Sequence, residues 1–97
     1  MEQVGSVLAK IFRDLLEHAP AHEVPIIAWP VVCGEQVANR TRAVVFAEGV
    51  LWVQVPDKDW KAQLMELAPQ YVAALNTLKG DRVRRMEFLL PGEKIPM

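Results

Sequence analysis

The stretch Trp29–Trp60, WPVVCGEQVANRTRAVVFAEGVLWVQVPDKDW, decides the fold. It opens in an apolar run, carries β-rich segments at residues 41–46 and 50–55, and ends where another helix begins. The loop Ala47-Glu48-Gly49 between the two segments is short and supplies a glycine that can adopt positive φ. The stretch therefore predicts a β-hairpin between helical regions.

Upstream of the hairpin, apolar residues recur at three- and four-residue steps and predict an amphipathic helix over residues 3–18. After a break, a second helix is expected to start near Glu23 or Pro25, because proline suits a first turn, and to run towards Ala38. Pro30 lies inside this run. It is expected to kink or split the helix, since it removes a backbone donor.

Downstream of the hairpin, Asp57 is a good helix N-cap, and an apolar stripe predicts helix as far as residue 78. Pro69 interrupts the stripe, which predicts two helical pieces rather than one. Gly80 is expected to stop the second piece. Residues 82–90 then predict a third strand.

Together these elements predict one α+β domain over residues 1–91 and a short loose tail over 92–97. Their order, α-α-β-β-α-α-β, predicts a small three-stranded sheet with helices packed on one face. Strand alternation would place Leu51, Val53 and Val55 towards the helices.

The bulk composition excludes several classes of protein. The 97 residues, 52% hydrophobic and 24% charged, are typical of one globular domain. No apolar run approaches the ~20 residues of a membrane span, and the N-terminus lacks signal-peptide features. A lone cysteine, Cys33, cannot form an internal disulfide, which favours the cytoplasm. The net charge of −1 means that any nucleic-acid footprint must be local.

No constellation predicts an enzyme, a cofactor or a metal. The chain has no glycine-rich phosphate loop. His18 and His22 are four apart, but Pro20 breaks the helix between them, so they make no metal pair. Cys33 lies in an apolar run, where free cysteine usually packs as a small hydrophobic residue.

Several spaced elements of this chain resemble the DciA-like family. The matching positions lie within residues 5–90 and are Trp29, Val32–Gly34, Glu48–Leu51, Val53, Val55, Trp60, Leu64, Leu67, Leu75, Gly80 and Arg84–Leu89. The resemblance implies a KH-like fold and a non-enzymatic role in loading and regulating the replicative DNA helicase, with that helicase as partner.

The chain departs from this pattern at two places. KH domains that bind nucleic acid carry a GxxG loop between two helices, and no GxxG occurs here. Members of the family often continue into a basic, flexible extension, whereas this chain ends seven residues after Leu90. An RNA-binding KH relative is therefore the weaker reading.

Two groups of basic residues are candidates for DNA phosphate contacts. They are Lys79, Arg82, Arg84 and Arg85 around the start of the third strand, and Arg40 and Arg42 at the start of the first. If the sheet brings them to one edge, they would hold single-stranded or duplex DNA moderately. Alternatively, they form a solvated edge that discourages aggregation. Arg84 alternates with Met86 and Phe88, so it is expected partly under a helix.

Val50 and Trp52 are candidates for protein interaction on the open sheet face. Trp52 there could anchor a partner or stack on a base; alternatively the N-terminal helix covers and buries it. That helix could also dock on a partner rather than on its own domain. The competing hypothesis is thus a protein-only adaptor or homodimer without nucleic-acid binding.

Overall fold

The computed structural model describes residues 2–78 and 80–96, with side chains from residue 10 onward. Its elements are α1 (Glu2–His18), a 3-10 turn (Ala21–Glu23), α2 (Val24–Cys33), α3 (Glu35–Ala38), β1 (Arg42–Ala47), β2 (Val50–Gln54), α4 (Lys58–Leu75) and β3 (Arg85–Leu89). The predicted α+β class is confirmed. Within the described ranges, no helix combines the length and hydrophobicity needed to cross a membrane.

The sheet is mixed, with strand order β1-β2-β3. β1 and β2 pair antiparallel around a two-residue turn in which Glu48 and Gly49 both have positive φ, 53° and 81°. This is the φ pattern of a type I′ turn, whose twist matches that of the flanking strands. β3 pairs parallel to β2, because α4 carries the chain back across one face of the sheet. The KH-like label stays a prediction.

The core lies between the helical layer and one sheet face. Leu51 and Val53 of β2 are fully buried, as predicted, and Phe88 of β3 packs with them. From the helices, Trp29 and Leu64 complete the same cluster. α4 contacts β3, and α2 contacts both α4 and β1, so the helices cover a single side of the sheet.

Trp29 ties three elements of this core together. Its indole Nε1 donates to the Thr41 hydroxyl at 3.0 Å, and that hydroxyl donates to the Val37 carbonyl at 2.8 Å. The indole also meets the Tyr71 ring edge-on, with centroids 5.0 Å apart. Thus α2, the entry to β1 and α4 share one buried aromatic side chain whose polar atom has a partner.

The two helical pieces expected on either side of Pro69 are one helix, and of the kink or split expected at Pro30 the split is wrong. α2 continues through Pro30, and α4 continues through Pro69. Both prolines are exposed. Leu64 and Leu75, on either side of Pro69, are both buried; their burial offsets the ~3 kcal/mol cost of an interior proline. The chain bends instead after α2, at Gly34 with φ 87°.

The segment between α4 and β3 also differs from expectation. α4 ends at Leu75, so Gly80 is not its stop signal. Gly80 has φ 144°, and a Cβ added there would lie 2.8 Å from the Cβ of Val24. The amide of Asp81 donates to the Ala21 carbonyl at 3.2 Å. Gly80 therefore permits close approach to the start of α2, and β3 begins only at Arg85.

Candidate nucleic-acid interface

The strand register separates the two predicted basic groups. Arg42 pairs with Gln54, the last residue of β2, whereas Arg85 pairs with Val50, its first residue. The two ends of β2 are four residues, or about 13 Å, apart. In addition, β1 and β3 lie on opposite edges of the sheet. The expectation of one shared basic edge is wrong, because β3 runs parallel to β2 while β1 runs antiparallel.

The C-terminal group is built on the hairpin turn. The Gly49 carbonyl accepts two hydrogen bonds, from the Arg84 amide at 2.7 Å and the Arg85 amide at 3.2 Å. The Arg84 side chain lies directly over Gly49, since a Cβ added to the glycine would be 2.5 Å from Arg84 Cδ. Glycine is thus needed here both for its positive φ and for this contact.

An open depression of about 910 Å³ lies beside this turn, and we call it the arginine groove. It is lined by His22, Phe46, Glu48, Gly49, Val50, Asp81, Arg82, Arg84 and Arg85. All three arginine side chains are exposed. Arg84 does not lie under a helix as expected, because it precedes β3 and does not follow the strand alternation of Met86 and Phe88.

Acidic side chains temper the positive charge of the arginine groove. Glu48 and Asp81 line it, and Arg85 Nε donates to Glu87 Oε1 at 3.2 Å. Among the described residues, Arg82 and Arg84 have no carboxylate within ion-pair distance. Those two guanidinium groups are therefore the ones available to an incoming anion.

The remaining predicted basic residues lie elsewhere. Arg40 and Arg42 are exposed at the far end of the sheet, and neither forms an ion pair within the described part of the chain. Lys79 falls outside the described residues. The second group thus offers two cations at a site separate from the arginine groove.

The open sheet face is partly covered by the C-terminal tail. Val50 is only 6% exposed, and Trp52 is half-buried. Both line a depression of about 430 Å³ together with Ile95 and Pro96. The tail is tied back by Glu93, whose carboxylate accepts from the Leu90 amide at 2.6 Å and lies 3.8 Å from Lys61 Nζ. Glu48 of the hairpin turn and the tail residues Ile95 and Pro96, rather than α1, line this depression beside the strands.

The family described as Dna[CI] antecedent, DciA, matches residues 3–88, most of the chain. The chain belongs to the DciA family. The resemblance inferred from Trp29, the hairpin and β3 is thereby confirmed. A search of curated proteins finds no match.

Membership of the DciA family gives the chain its broad role. The family is associated with loading the replicative helicase, so the chain is a replication accessory protein. The family is also non-catalytic, in keeping with the expectation that this chain is not an enzyme.

The single thiol of this DciA-family chain is not set up for catalysis. Burial raises the pKa of Cys33 from 9.0 to about 11, and burial also raises the pKa of the Tyr71 hydroxyl, with the Cys33 charge adding to it. A thiol with so high a pKa is almost entirely protonated at neutral pH, and the thiolate is the reactive form. No group of three or more metal-ligating residues occurs among the residues that the structure describes.

Sequence reasoning missed two features of the DciA-family surface. The first is Glu48: Asp81 adjoins the arginines in the sequence, but Glu48 comes from a separate segment that only the fold brings to the arginine groove. The second feature is an apolar groove beside α1, where Ile11 and Leu15 are more than half exposed. Their four-residue spacing was a signal for it, but spacing alone could not tell which apolar stripe of α1 packs inward.

Proposed function

We propose that this DciA-family chain is a non-enzymatic replication accessory module that contacts the replicative helicase and binds DNA weakly through the arginine groove. The observation that carries the DNA contact is the clustering of exposed Arg82 and Arg84 beside the Gly49 turn. Planar guanidinium groups suit phosphate oxygens, because their paired N–H donors match the oxygen geometry.

The expected DNA affinity is low. Two free guanidinium groups neutralise about two phosphates, which gives a log–log salt slope of about −1.8 on duplex and about −1.4 on single strands. Between about 50 and about 200 mM salt, the affinity for duplex DNA would then fall only about tenfold. The overall charge of −1 and the carboxylates of Glu48 and Asp81 also lower the expected affinity for DNA.

Fluorescence anisotropy with labelled single-stranded and duplex DNA at the two salt concentrations tests this proposal. Arg82→Ala/Arg84→Ala should abolish most of the binding and flatten the salt slope. Arg40→Ala/Arg42→Ala is the matched control, because it removes the same charge from exposed arginines at the other end of the sheet. Equal losses in the two double variants would refute the arginine groove as the DNA site.

The helicase contact has a separate test. Calorimetric titration of the replicative helicase with this chain should give binding that survives in Arg82→Ala/Arg84→Ala, since the DNA site is not required for a protein contact. Absence of binding to the helicase in the presence and in the absence of nucleotide would overturn this half of the proposal and leave the DNA half standing.

A protein-only adaptor or homodimer is the second candidate, favoured by half-buried Trp52 beside the tail residues Ile95 and Pro96. An apolar contact there would be insensitive to salt, unlike DNA binding. Sedimentation velocity across protein concentrations, with Trp52→Ser as the variant, distinguishes the two candidates. Salt-insensitive self-association that Trp52→Ser abolishes, with no DNA binding, would favour the adaptor.

A further inference from the structure

α1 carries more apolar surface than its own domain uses. Phe12 and Leu16 pack against the core, as expected for an amphipathic helix. Ile11 and Leu15 form a second stripe beside them and remain 51% and 56% exposed. Isolated exposed apolar residues are ordinary, but adjacent ones that line a common groove mark interaction sites.

These two residues form one wall of a groove between the end of α1 and the start of α2, which we call the apolar groove. It encloses about 560 Å³ and is lined by Ile11, Asp14, Leu15, His18, Ala19, Pro20, Glu23 and Ile27. The His18 ring is held at the helix end, where Nδ1 donates to the Asp14 carbonyl at 2.8 Å. The floor of the apolar groove is apolar, and α1, α2 and the segment that connects them form it.

The charge at the rim of the apolar groove has one sign. Its carboxylates, Asp14 and Glu23, are both exposed, and neither forms an ion pair among the described residues. Lys10 and Arg13 are on the same helix, but they do not line the groove. An occupant that fills the apolar floor would therefore meet negative charge at its edges.

We propose that the apolar groove docks an amphipathic helix of a partner protein whose polar flank is basic. Large apolar side chains at helical spacing would enter between Leu15 and Ile27, and lysine or arginine beside them would face Asp14 and Glu23. Charge complementarity at the rim selects the partner, while burial of Ile11 and Leu15 supplies the affinity. The apolar groove and the arginine groove thus take ligands of opposite charge, and each can be tested without the other.

A labelled peptide of about 18 residues, long enough to hold a helix when bound, serves as the probe. It carries leucine at i, i+3, i+4 and i+7 and lysine on the flanks. A second peptide has glutamate in place of every lysine, and a third has the first composition in scrambled order. The lysine peptide should bind at least about tenfold more tightly than the other two, because only it matches both floor and rim.

Protein variants locate the binding. Leu15→Ser should weaken the lysine peptide about tenfold or more, whereas Met65→Ser should not. Met65 is the matched control because it is 57% exposed, against 56% for Leu15, and lies on α4 outside the groove. Asp14→Lys/Glu23→Lys should reverse the preference and bind the glutamate peptide. Circular dichroism melting confirms that each variant is folded.

Three results would overturn the proposal. The first is equal binding of the lysine and scrambled peptides, and the second is equal losses in Leu15→Ser and Met65→Ser. The third is self-association of the unmodified chain that Leu15→Ser abolishes, because the groove would then belong to a second copy of this chain.

Discussion

The side-chain amide of Asn76 holds the backbone of Val83 through two hydrogen bonds: Nδ2 donates to the Val83 carbonyl at 2.9 Å, and Oδ1 accepts from the Val83 amide at 2.8 Å. Val83 is 1% exposed, so its backbone is shielded from water. This pair closes the connection from α4 to β3 and thereby places Arg82 and Arg84 beside the hairpin turn.

Replacement of Asn76 should destabilise the whole domain. Asn76→Ala leaves a buried donor and a buried acceptor without partners, which should cost about 2–4 kcal/mol in urea unfolding. Asn76→Asp keeps the acceptor and loses the donor, so its loss should be intermediate. Thr77→Ala, which removes an exposed bond to the Ala74 carbonyl, is the control and should cost well under about 1 kcal/mol. Equal effects of Asn76→Ala and Thr77→Ala would contradict this role.

Gly49→Ala should affect both stability and DNA affinity. Its φ of 81° strains any residue with a Cβ, and the new methyl would displace the Arg84 side chain. We expect a loss of about 2 kcal/mol and weaker DNA binding in anisotropy titrations. Gly92→Ala separates the two causes, because Gly92 has φ 86° but nothing within 4 Å of an added Cβ. Gly92→Ala should lose about 1 kcal/mol of unfolding free energy, from backbone strain alone, and leave DNA affinity unchanged.

Pro69→Ala should stabilise the protein. α4 tolerates Pro69 in its interior, and alanine would restore the missing backbone hydrogen bond without disturbing any buried side chain. We expect a gain of about 1–3 kcal/mol in chemical denaturation. A loss of stability instead would mean that the proline shapes a bend on which the packing of Leu64 and Leu75 depends.

The raised pKa of Cys33 predicts a pH dependence at the alkaline end. The folded state favours the neutral thiol, so its contribution to stability is complete below pH 9 and is lost as the pH rises towards the folded pKa of about 11. The urea midpoint of the unmodified chain should therefore fall relative to that of Cys33→Ala between pH 9 and pH 11. Comparison with the variant cancels the titrating groups that Cys33 does not influence; Tyr71 is not among them, because the Cys33 charge adds to the rise in its pKa. A difference that stays constant over this range would contradict the burial of the thiol.

Local features of the fold could be predicted from the sequence, because nearby residues determine them. The hairpin followed from the short loop Ala47-Glu48-Gly49, although Ala47 belongs to β1, and the start of α4 followed from Asp57, whose carboxylate accepts from the Trp60 amide at 2.9 Å. The prolines misled the prediction, since the burial of distant partners outweighs the local preference at Pro30 and Pro69.

The candidate site was less predictable because it depends on strand direction. Whether Arg42 approaches Arg85 is decided by the parallel pairing of β3 with β2, which no local pattern encodes. The sequence did show that the arginines near the start of the third strand form one group. Their separation from Arg40 and Arg42, and the presence of Glu48 beside them, required the fold.

The parallel pairing of β2 and β3 also has a consequence for folding kinetics. The hairpin closes a two-residue loop, a fast local event, whereas pairing of β3 with Val50 closes a much longer loop that contains the whole of α4. The two walls of the arginine groove, Gly49 and Arg84, come from opposite ends of that slow closure. The amides of Arg84 and Arg85 should consequently exchange with solvent only on global unfolding, and a chain in which only the hairpin has formed would lack the arginine groove.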